Sequence, residues 1–574
     1  MHQTRPESTT APASESDFSR RDFIKGGVAA GLVGGVGLGA AYFGYDRSLS
    51  RQVRVGVIGT GDEGNVLIGA INPDFVQVVA IADIRPYNIY RAFHGDESSE
   101  NTLKHRPGLM SKYGWATETE ARRNVAVYDD DYRELIADPN VEAVIIALPL
   151  HLHKEASIEA MRRGKHVLCE KLMAHDVAQC KDMARVALQT KQLLSIGHQR
   201  HYSVLYDQAR RAIERGVIGD IHHIRAQWHR GNLPGKDSWQ PPLPDEKMAD
   251  ALVKYDGEAA QLLKRLNDVL ADDSWDGRRD QRLSSVQKQR RLHLAKLLDR
   301  GVKAEKYGYQ SPPAPGPDGK PRPPLEELIR WRLWDRTGGG LMVELGSHQL
   351  DAASIFIHAS AGEHAEGKHG VHPLTVYGVG GRHIFPHDRD ADDHVYCGFE
   401  FPGPGYENDK NKKIVVTYSS INGNGFGGYG ETVMGTKGTL IVDRERDFQV
   451  LTTGAATTVS SAKGDGGPTL DTTESGAPMA VQKAASGPVS RGYTEQIEHW
   501  AWCIRNPAPE HKPRCGPEVA MADAVIALVA NQAIREGRKI TFAESWFDLN
   551  SNETPDGSKP QEEPVAAPRS TEVV

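Results

Sequence analysis

Apolar residues fall in short, dense blocks over the first two hundred positions and in alternating positions further along. Val53, Val55 and Val57 alternate into Ile58, the pattern of a buried strand, and Asn65–Ile71 then reads as a helix. A second strand, Val78–Ala82, ends at Asp83. Asp129–Ala137 has the spacing of a short amphipathic helix. Val141–Leu148 is almost continuously apolar, as a strand covered on both faces requires. It ends in Pro149-Leu150-His151-Leu152-His153, and a helix runs on to Arg163. Strand Val167–Cys169 ends in Glu170-Lys171-Leu172, helix Asp176–Thr190 follows, and strand Leu193–Ile196 ends in Gly197-His198-Gln199-Arg200. Strands alternating with helices predict an α/β fold: a doubly wound parallel Rossmann sheet over residues 51–200.

Beyond it the pattern changes. Tyr206–Arg215 reads as a helix, and Ile221–Trp228 alternates as the first strand of a second domain spanning 201–549. Residues 236–325 read as an insertion: a charge-rich helical part, Asp245–Arg300, then a Pro/Gly loop, Ser311–Pro324. It covers the site, covers an oligomer face or merely decorates the fold. Gly338-Gly339-Gly340 opens a predicted helix, Leu341–Ile357. Leu374–Gly380, His394–Phe401, Lys413–Ser419, Glu431–Met434 and Thr439–Val442 predict a large, open, mostly antiparallel sheet. Thr452–Gly487 is Gly/Ser/Thr/Ala-rich and reads as a long loop. Tyr493–Ile504 and Glu518–Glu536 are amphipathic helices, and 550–574 is a polar, Pro- and Glu-rich tail expected to be disordered.

At 574 residues, 39% hydrophobic, 25% charged and with a formal net charge of −7, the chain is ordinary in composition; no basic excess points to nucleic acid. Five scattered cysteines with no C-x-x-C signal neither a disulfide framework nor a zinc site. The N-terminus is distinctive. Residues 1–17 are polar, Ser19-Arg20-Arg21-Asp22-Phe23-Ile24-Lys25 follows, and a Gly/Ala-rich apolar run extends to Tyr45. Paired arginines before such a run match a twin-arginine signal, so residues 1–50 are expected to engage the twin-arginine translocase and direct export to the periplasm, cleaved or retained as a tether. That route carries folded proteins to a compartment with no replenished nicotinamide pool, which predicts a tightly held cofactor or a redox-neutral cycle.

Candidate chemistry lies at strand ends. Gly59-Thr60-Gly61-Asp62-Glu63-Gly64 has the spacing G-x-G-x-x-G: the first glycine for the turn, the second for close approach of a pyrophosphate, the third for helix–strand packing. Asp83, twenty-four residues after Gly59, stands where a carboxylate meets the adenosine ribose. This is the pattern of a dinucleotide site. Asp83 favours NAD, and nearby Arg85 keeps NADP open. On the predicted helix, Glu344, His348 and Asp351 stand at i, i+4 and i+7 and form one polar stripe.

Four stretches together resemble the Gfo/Idh/MocA proteins (glucose–fructose oxidoreductase, inositol dehydrogenase and rhizopine catabolism): Gly59–Gly64, Ala143–His153, Gly164–Lys171 and Gly338–Asp351. Two positions depart from that family's pattern: Leu172 stands where it has proline after Glu-Lys, and Glu344 where it has aspartate. The resemblance implies hydride transfer between a nicotinamide and a secondary hydroxyl of a sugar, sugar acid or cyclitol, with Lys171 and the Glu344/His348 group meeting over the nicotinamide. His348 is then the base, Glu344 the group that fixes its tautomer, and Lys171 the group that stabilises the alkoxide or relays the proton. Pro149, His151, His153 and Glu170 are expected at the cofactor, and Arg200, Asp351 and Trp334 at the substrate. His151 and His153 also admit a metal reading, but the spacing implies no third or fourth ligand. The family's open sheet implies a homo-oligomer, and a redox-neutral NAD-dependent glycoside-cleaving enzyme is the alternative activity.

Overall fold

The computed structural model describes residues 38–45, 49–232, 239–244, 277–315, 319–362, 371–385, 389–445, 447–452, 482–483 and 491–564, with a few isolated positions between 254 and 261. The paired arginines, residues 1–17 and nearly all of 452–487 lie outside them.

The first sheet has six parallel strands: β1 (Val53–Ile58), β2 (Val76–Ala82), β3 (Ala126–Tyr128), β4 (Ala143–Ile146), β5 (His166–Cys169) and β6 (Leu194–Ile196), in the order β3-β2-β1-β4-β5-β6. β1 and β4 are its centre, and Val53, Val55, Val57 and Val144–Ile146 are wholly buried between helices on both faces. Each such side chain contributes about 1.5–3 kcal/mol of burial, which accounts for the dense apolar blocks. Gly56 has a further reason to lack a side chain: a Cβ there would stand 2.4 Å from Leu135 Cδ2 on the covering helix.

The second sheet is built from β7 (Ile221–Arg230), β8 (Thr375–Gly381), β9 (His394–Pro402), β10 (Lys413–Asn422), β11 (Tyr429–Gly435), β12 (Gly438–Asp443), β13 (Asp447–Thr452), β14 (Gln482–Lys483) and β15 (Ile540–Thr541). Their order is β14-β13-β12-β11-β7-β10-β9-β8-β15, antiparallel except where β7 pairs with β10. One face packs on helices Ser347–Ala361 and Pro517–Glu536, so Val395, Phe399, Val416 and Tyr418 are buried. On the other face Tyr377, Val379, Tyr396 and Val415 are exposed.

Three expectations change, and part of the insertion takes a definite place. The predicted helix Leu341–Ile357 is a π-helical turn, Met342–Gly346, running into an α-helix, Ser347–Ala361. Helix Tyr493–Arg505 belongs to the first unit although it lies far along the chain: Ile497, Trp500 and Ala501 pack with Val53, Val55 and Val57. Of the insertion, helix Gly277–Leu298 lies against helix Pro86–His94 of the Rossmann unit, with Leu292 and Ala295 packed on Tyr87. Finally, residues 550–564 of the tail expected to be disordered hold a defined course, and 565–574 lie outside the described residues. The described part straps helix Val177–Thr190, where Lys181 Nζ donates to the carbonyls of Ser545, Ser551 and Glu553 at 2.8–2.9 Å. Arg185 donates to Leu549 O and Glu562 O, and Asp182 accepts the N–H groups of Gln561 and Glu562. Charged residues of one helix thus satisfy backbone groups of a segment that joins neither sheet.

Candidate functional site: a dinucleotide cleft with a lysine, a glutamate and a histidine on one wall

A cleft of about 1090 Å³ runs along the carboxyl ends of β1, β2, β4 and β5 and opens toward the second sheet. At its floor the three glycines differ in role. Gly59 has φ +85°, and a Cβ on it would meet Ala147 O at 2.5 Å. A Cβ on Gly64 would strike Gly59 O at 2.1 Å, so the helix Asp62–Ala70 can lie this close only without one. Around Gly61 the space is open, with Asn88 Nδ2 nearest at 3.8 Å. That opening, at a helix N-terminus with free N–H groups, fits a pyrophosphate. Asp62 and Glu63 line the cleft there, and Arg91 (2.6 Å) and Arg106 (3.4 Å) neutralise Asp62.

Asp83 is held rigidly. Its Oδ2 accepts from Thr60 N (2.8 Å), Thr60 Oγ1 (3.2 Å) and Asn88 Nδ2 (3.1 Å), and its Oδ1 accepts from Arg85 N (2.9 Å). Burial pushes its carboxyl up, and the two backbone N–H bonds oppose that. Thr60, expected at the cofactor, is instead buried and acts by fixing Asp83. Arg85 does not point freely into the cleft. Its Nε and Nη2 both reach Asp299 Oδ2 at 2.9 Å, and Asp299, 1% exposed, comes from the insertion. Lys296, Lys306, Tyr307 and Tyr309 from the same segment also line this end.

At the other end the wall carries Glu170, Lys171, Glu344 and His348, with Trp228, Arg230, Trp331, Arg332, Arg491 and Tyr493 around them. Lys171 Nζ donates to the Glu344 carbonyl at 2.7 Å and stands 3.6 Å from its carboxylate. The same carboxylate accepts from Arg332 Nε at 2.7 Å. Burial would raise the Glu344 pKa, but Lys171 and Arg332 outweigh it and hold it down at about 2. His348 is buried beside Trp228, ring centroids 5.1 Å apart, and its Nδ1 has no hydrogen-bond partner among the described residues. Burial, then the charges of Lys171, Arg200, His198 and Arg230, push its pKa well below the ordinary range, so the imidazole is neutral at pH 7. Glu170 is pushed up by burial and by Glu63. A Cβ on Gly197 would lie 2.7 Å from its carboxylate, so that glycine leaves room for it.

Several expected roles are corrected. Glu344 pairs with Lys171 and Arg332 rather than with a His348 ring nitrogen, because two cations stand within reach of its carboxylate and outcompete a neutral imidazole. Asp351 faces away from the cleft, accepting from His201 Nε2 at 2.7 Å, with His198 Nδ1 at 3.7 Å. Arg200 is a buried cross-link to Gln349 (2.6 Å), Glu445 (2.8 Å) and the Tyr206 hydroxyl (3.1 Å). Trp334 is buried under Arg389, 4.8 Å from its ring; of the tryptophans near the expected substrate side, Trp228 and Trp331 line the cleft. His153 lies between Leu172 O and Leu148 O, and His151 sits edge-on to Tyr309 outside the cleft. Pro149 lines the cleft. The Lys171–Leu172 peptide is cis. Neither His151 nor His153 joins a ligand cluster; the group of this kind among the described residues is His198, Asp351 and Asp523, buried, with ligand atoms within 4.8 Å of one another.

Residues the sequence reading missed are Arg230, Arg332, Arg491, Tyr493 and Asp299. Arg230 was legible: Ile224, Ala226, Trp228 and Arg230 share one face of β7 by simple alternation. Asp299 carried no signal, since it meets Arg85 across more than two hundred positions.

Residues 53–198 match the family model GFO_IDH_MocA, described as an oxidoreductase family with an NAD-binding Rossmann fold. The inositol 2-dehydrogenase/D-chiro-inositol 3-dehydrogenase of Lactiplantibacillus plantarum is 37% identical over 91 residues, 16% of this chain and 26% of the relative. The myo-inositol 2-dehydrogenase of Thermotoga maritima is 26% identical over 234 residues, 39% of this chain and 58% of the relative. The chain thus spans less than two thirds of the length of these relatives. Among solved structures, the aldose-aldose oxidoreductase of Caulobacter crescentus aligns over 86% of this chain and 100% of its own, at 15% identity and a TM-score of 0.49.

Proposed function

Because residues 53–198 carry the nucleotide-binding domain of the Gfo/Idh/MocA oxidoreductases, we propose that this protein is an NAD-dependent dehydrogenase acting on a secondary hydroxyl of a sugar, sugar acid or cyclitol. The observation that carries the proposal is that Lys171, Glu344 and His348 stand on the wall of the same cleft as Gly59, Gly61 and Asp83. The cofactor would be held by the glycine turn, the open space at Gly61 and the fixed carboxylate of Asp83, and its nicotinamide supplies the hydride acceptor.

The chain's own residues do the rest. Neutral His348 takes the hydroxyl proton, and Trp228 holds its ring in place. Lys171, aimed by the Glu344 carbonyl, donates a hydrogen bond to the oxygen as it gains charge. Ionised Glu344 and Arg332 keep that ammonium positioned. Asp83 repels a 2′-phosphate, and Arg85, tied to Asp299, is not free to accept one; both favour NAD over NADP. Lys296, Asp299, Lys306, Tyr307 and Tyr309 of the insertion line the cleft beside Asp83 and Arg85, which supports slow release of the cofactor.

Two further proposals concern the whole protein. Arg20-Arg21 and the apolar run behind it direct export, tested by replacing both arginines with lysine and measuring the periplasmic fraction. The exposed face bearing Tyr377, Val379, Tyr396 and Val415 joins copies of the chain, tested by mass in solution.

The deciding experiment is the absorbance of purified protein for bound nucleotide, followed by its reduction with a panel of sugars and cyclitols. Reduced cofactor accumulating with a free polyol or sugar is expected. Release of an aglycone with no net cofactor change would replace the dehydrogenase by the redox-neutral alternative.

A further inference from the structure

We infer that the substrate carries a carboxylate and that Arg230 receives it. This rests on the dehydrogenase reading and adds to it the charge of the molecule oxidised. Arg230 is the last residue of β7, two positions beyond Trp228 and on the same face. Its guanidinium lies over the Trp228 ring, 5.0 Å from the centroid, and that ring in turn packs on Tyr429 (4.7 Å) and on His348 (5.1 Å). One indole thus separates a cation from the proposed base, and all three line the cleft.

What singles out Arg230 is that no residue among the described ones answers its charge. Glu344 is the carboxylate nearest in effect, and both its oxygens are engaged, Oε1 by Arg332 at 2.7 Å and Oε2 by Lys171 at 3.6 Å. Arg491, the other guanidinium at this end, is paired with Glu445 at 2.9 Å. Among the described residues the Arg230 guanidinium makes no hydrogen bond and no ion pair. Burial works against its charge, opposed chiefly by Glu344. Arg230 is half-buried, and a cation partly withdrawn from water is stabilised by an anion beside it; here the side free of partners among the described residues faces the cleft. The planar fork offers two N–H groups to two oxygens of either a carboxylate or a phosphate; a monoanionic carboxylate balances the one unit of charge here, whereas a dianionic phosphate leaves a unit of negative charge over in a half-buried site. A hexuronate or aldonate places such a group a few bonds from a secondary hydroxyl.

The test is equilibrium binding to NAD-loaded protein, by calorimetry, of D-glucuronate, D-galacturonate and D-gluconate against glucose, galactose and glucose 6-phosphate. Turnover of each is measured in parallel. At least one of the acids is expected to bind about 100-fold or more tighter than its neutral counterpart. Arg230→Gln should bring that ratio within about threefold of unity, and Arg230→Lys, which keeps charge but not the fork, should fall between. NAD affinity of each variant checks that it is folded. Equal binding of acids and neutral sugars, preference for the phosphate, no binding of any acid, or a preference that survives Arg230→Gln would each overturn the inference. The two readings separate cleanly. Oxidation of neutral sugars without acid preference sinks this one and leaves the dehydrogenase. An acid that binds through Arg230 and is never oxidised does the reverse.

Discussion

Replacing Asp299 by asparagine tests how the insertion shapes the cofactor end. Asp299 accepts both Nε and Nη2 of Arg85 on one oxygen and the N–H of Tyr87 on the other, at 3.0 Å. Asparagine keeps the shape and the Tyr87 bond, but turns an N–H₂ group toward the guanidinium, so Arg85 is released. Breaking a fully buried ion pair removes about 3–5 kcal/mol. Arg85 is 16% exposed and can turn into the cleft, so we expect about 2–3 kcal/mol here, with the fold intact. The freed guanidinium then stands beside Asp83, where a ribose 2′-phosphate would come. Its attraction for that group, partly screened by solvent, amounts to about 1.4–2.8 kcal/mol, or about 10- to 100-fold in NADP affinity relative to NAD.

The assay is a fluorescence titration of nucleotide-free protein with each dinucleotide, wild type and variant side by side. The faster off-rate of NAD from the variant is measured in the same instrument. An NADP-to-NAD affinity ratio that stays within about twofold of wild type would refute the reasoning, because a change of that size is below any released charge. So would a structure of the variant with Arg85 unmoved.

Lys171→Met and His348→Asn should each lower kcat by about 10²–10⁴-fold while nucleotide affinity holds, read by steady-state kinetics beside a binding titration. Since burial and four cationic or basic neighbours keep His348 neutral, kcat/KM should be flat through pH 6.5 and fall only on further acidification; an acid limb at or above 6.5 would contradict this. The same shift has a stability sign: the unfolded chain takes up a proton below about pH 6.5 that the folded one refuses, so this group destabilises the fold by up to about 1.4 kcal/mol per pH unit on acidification until its own pKa is reached. Denaturant titrations of wild type and His348→Asn at several pH values measure it, and a difference independent of pH would refute it. Removing residues 550–574 takes away carbonyl partners of Lys181 and Arg185 on one helix and uncovers the face they stand on. We expect a loss of about 1.5–3 kcal/mol, the range for hydrogen bonds to charged groups, and a lower Tm in a thermal scan; an unchanged Tm would show the strap to be passive.

The sequence by itself determined the nucleotide-binding half. There, strand burial, the glycine turn and Asp83 are local facts, written in the period of the apolar residues and in backbone conformations that only glycine adopts, as at Gly59. It also singled out Lys171, Glu344 and His348, because they interrupt apolar elements. Their pairing was another matter. Straight helical spacing pointed Glu344 at His348, and two cations brought from elsewhere in the chain, Lys171 and Arg332, hold the carboxylate instead. Arg200, Asp351 and Trp334 have the polar or aromatic character of binding residues, and only packing revealed them as buried structure. Helix Tyr493–Arg505 on the first sheet, the tail over helix Val177–Thr190 and Asp299 against Arg85 were likewise decided by tertiary structure. The physical reason is the same for all of them. A contact between residues hundreds of positions apart depends on where the whole chain brings two surfaces together, and such a contact leaves no periodicity at either end.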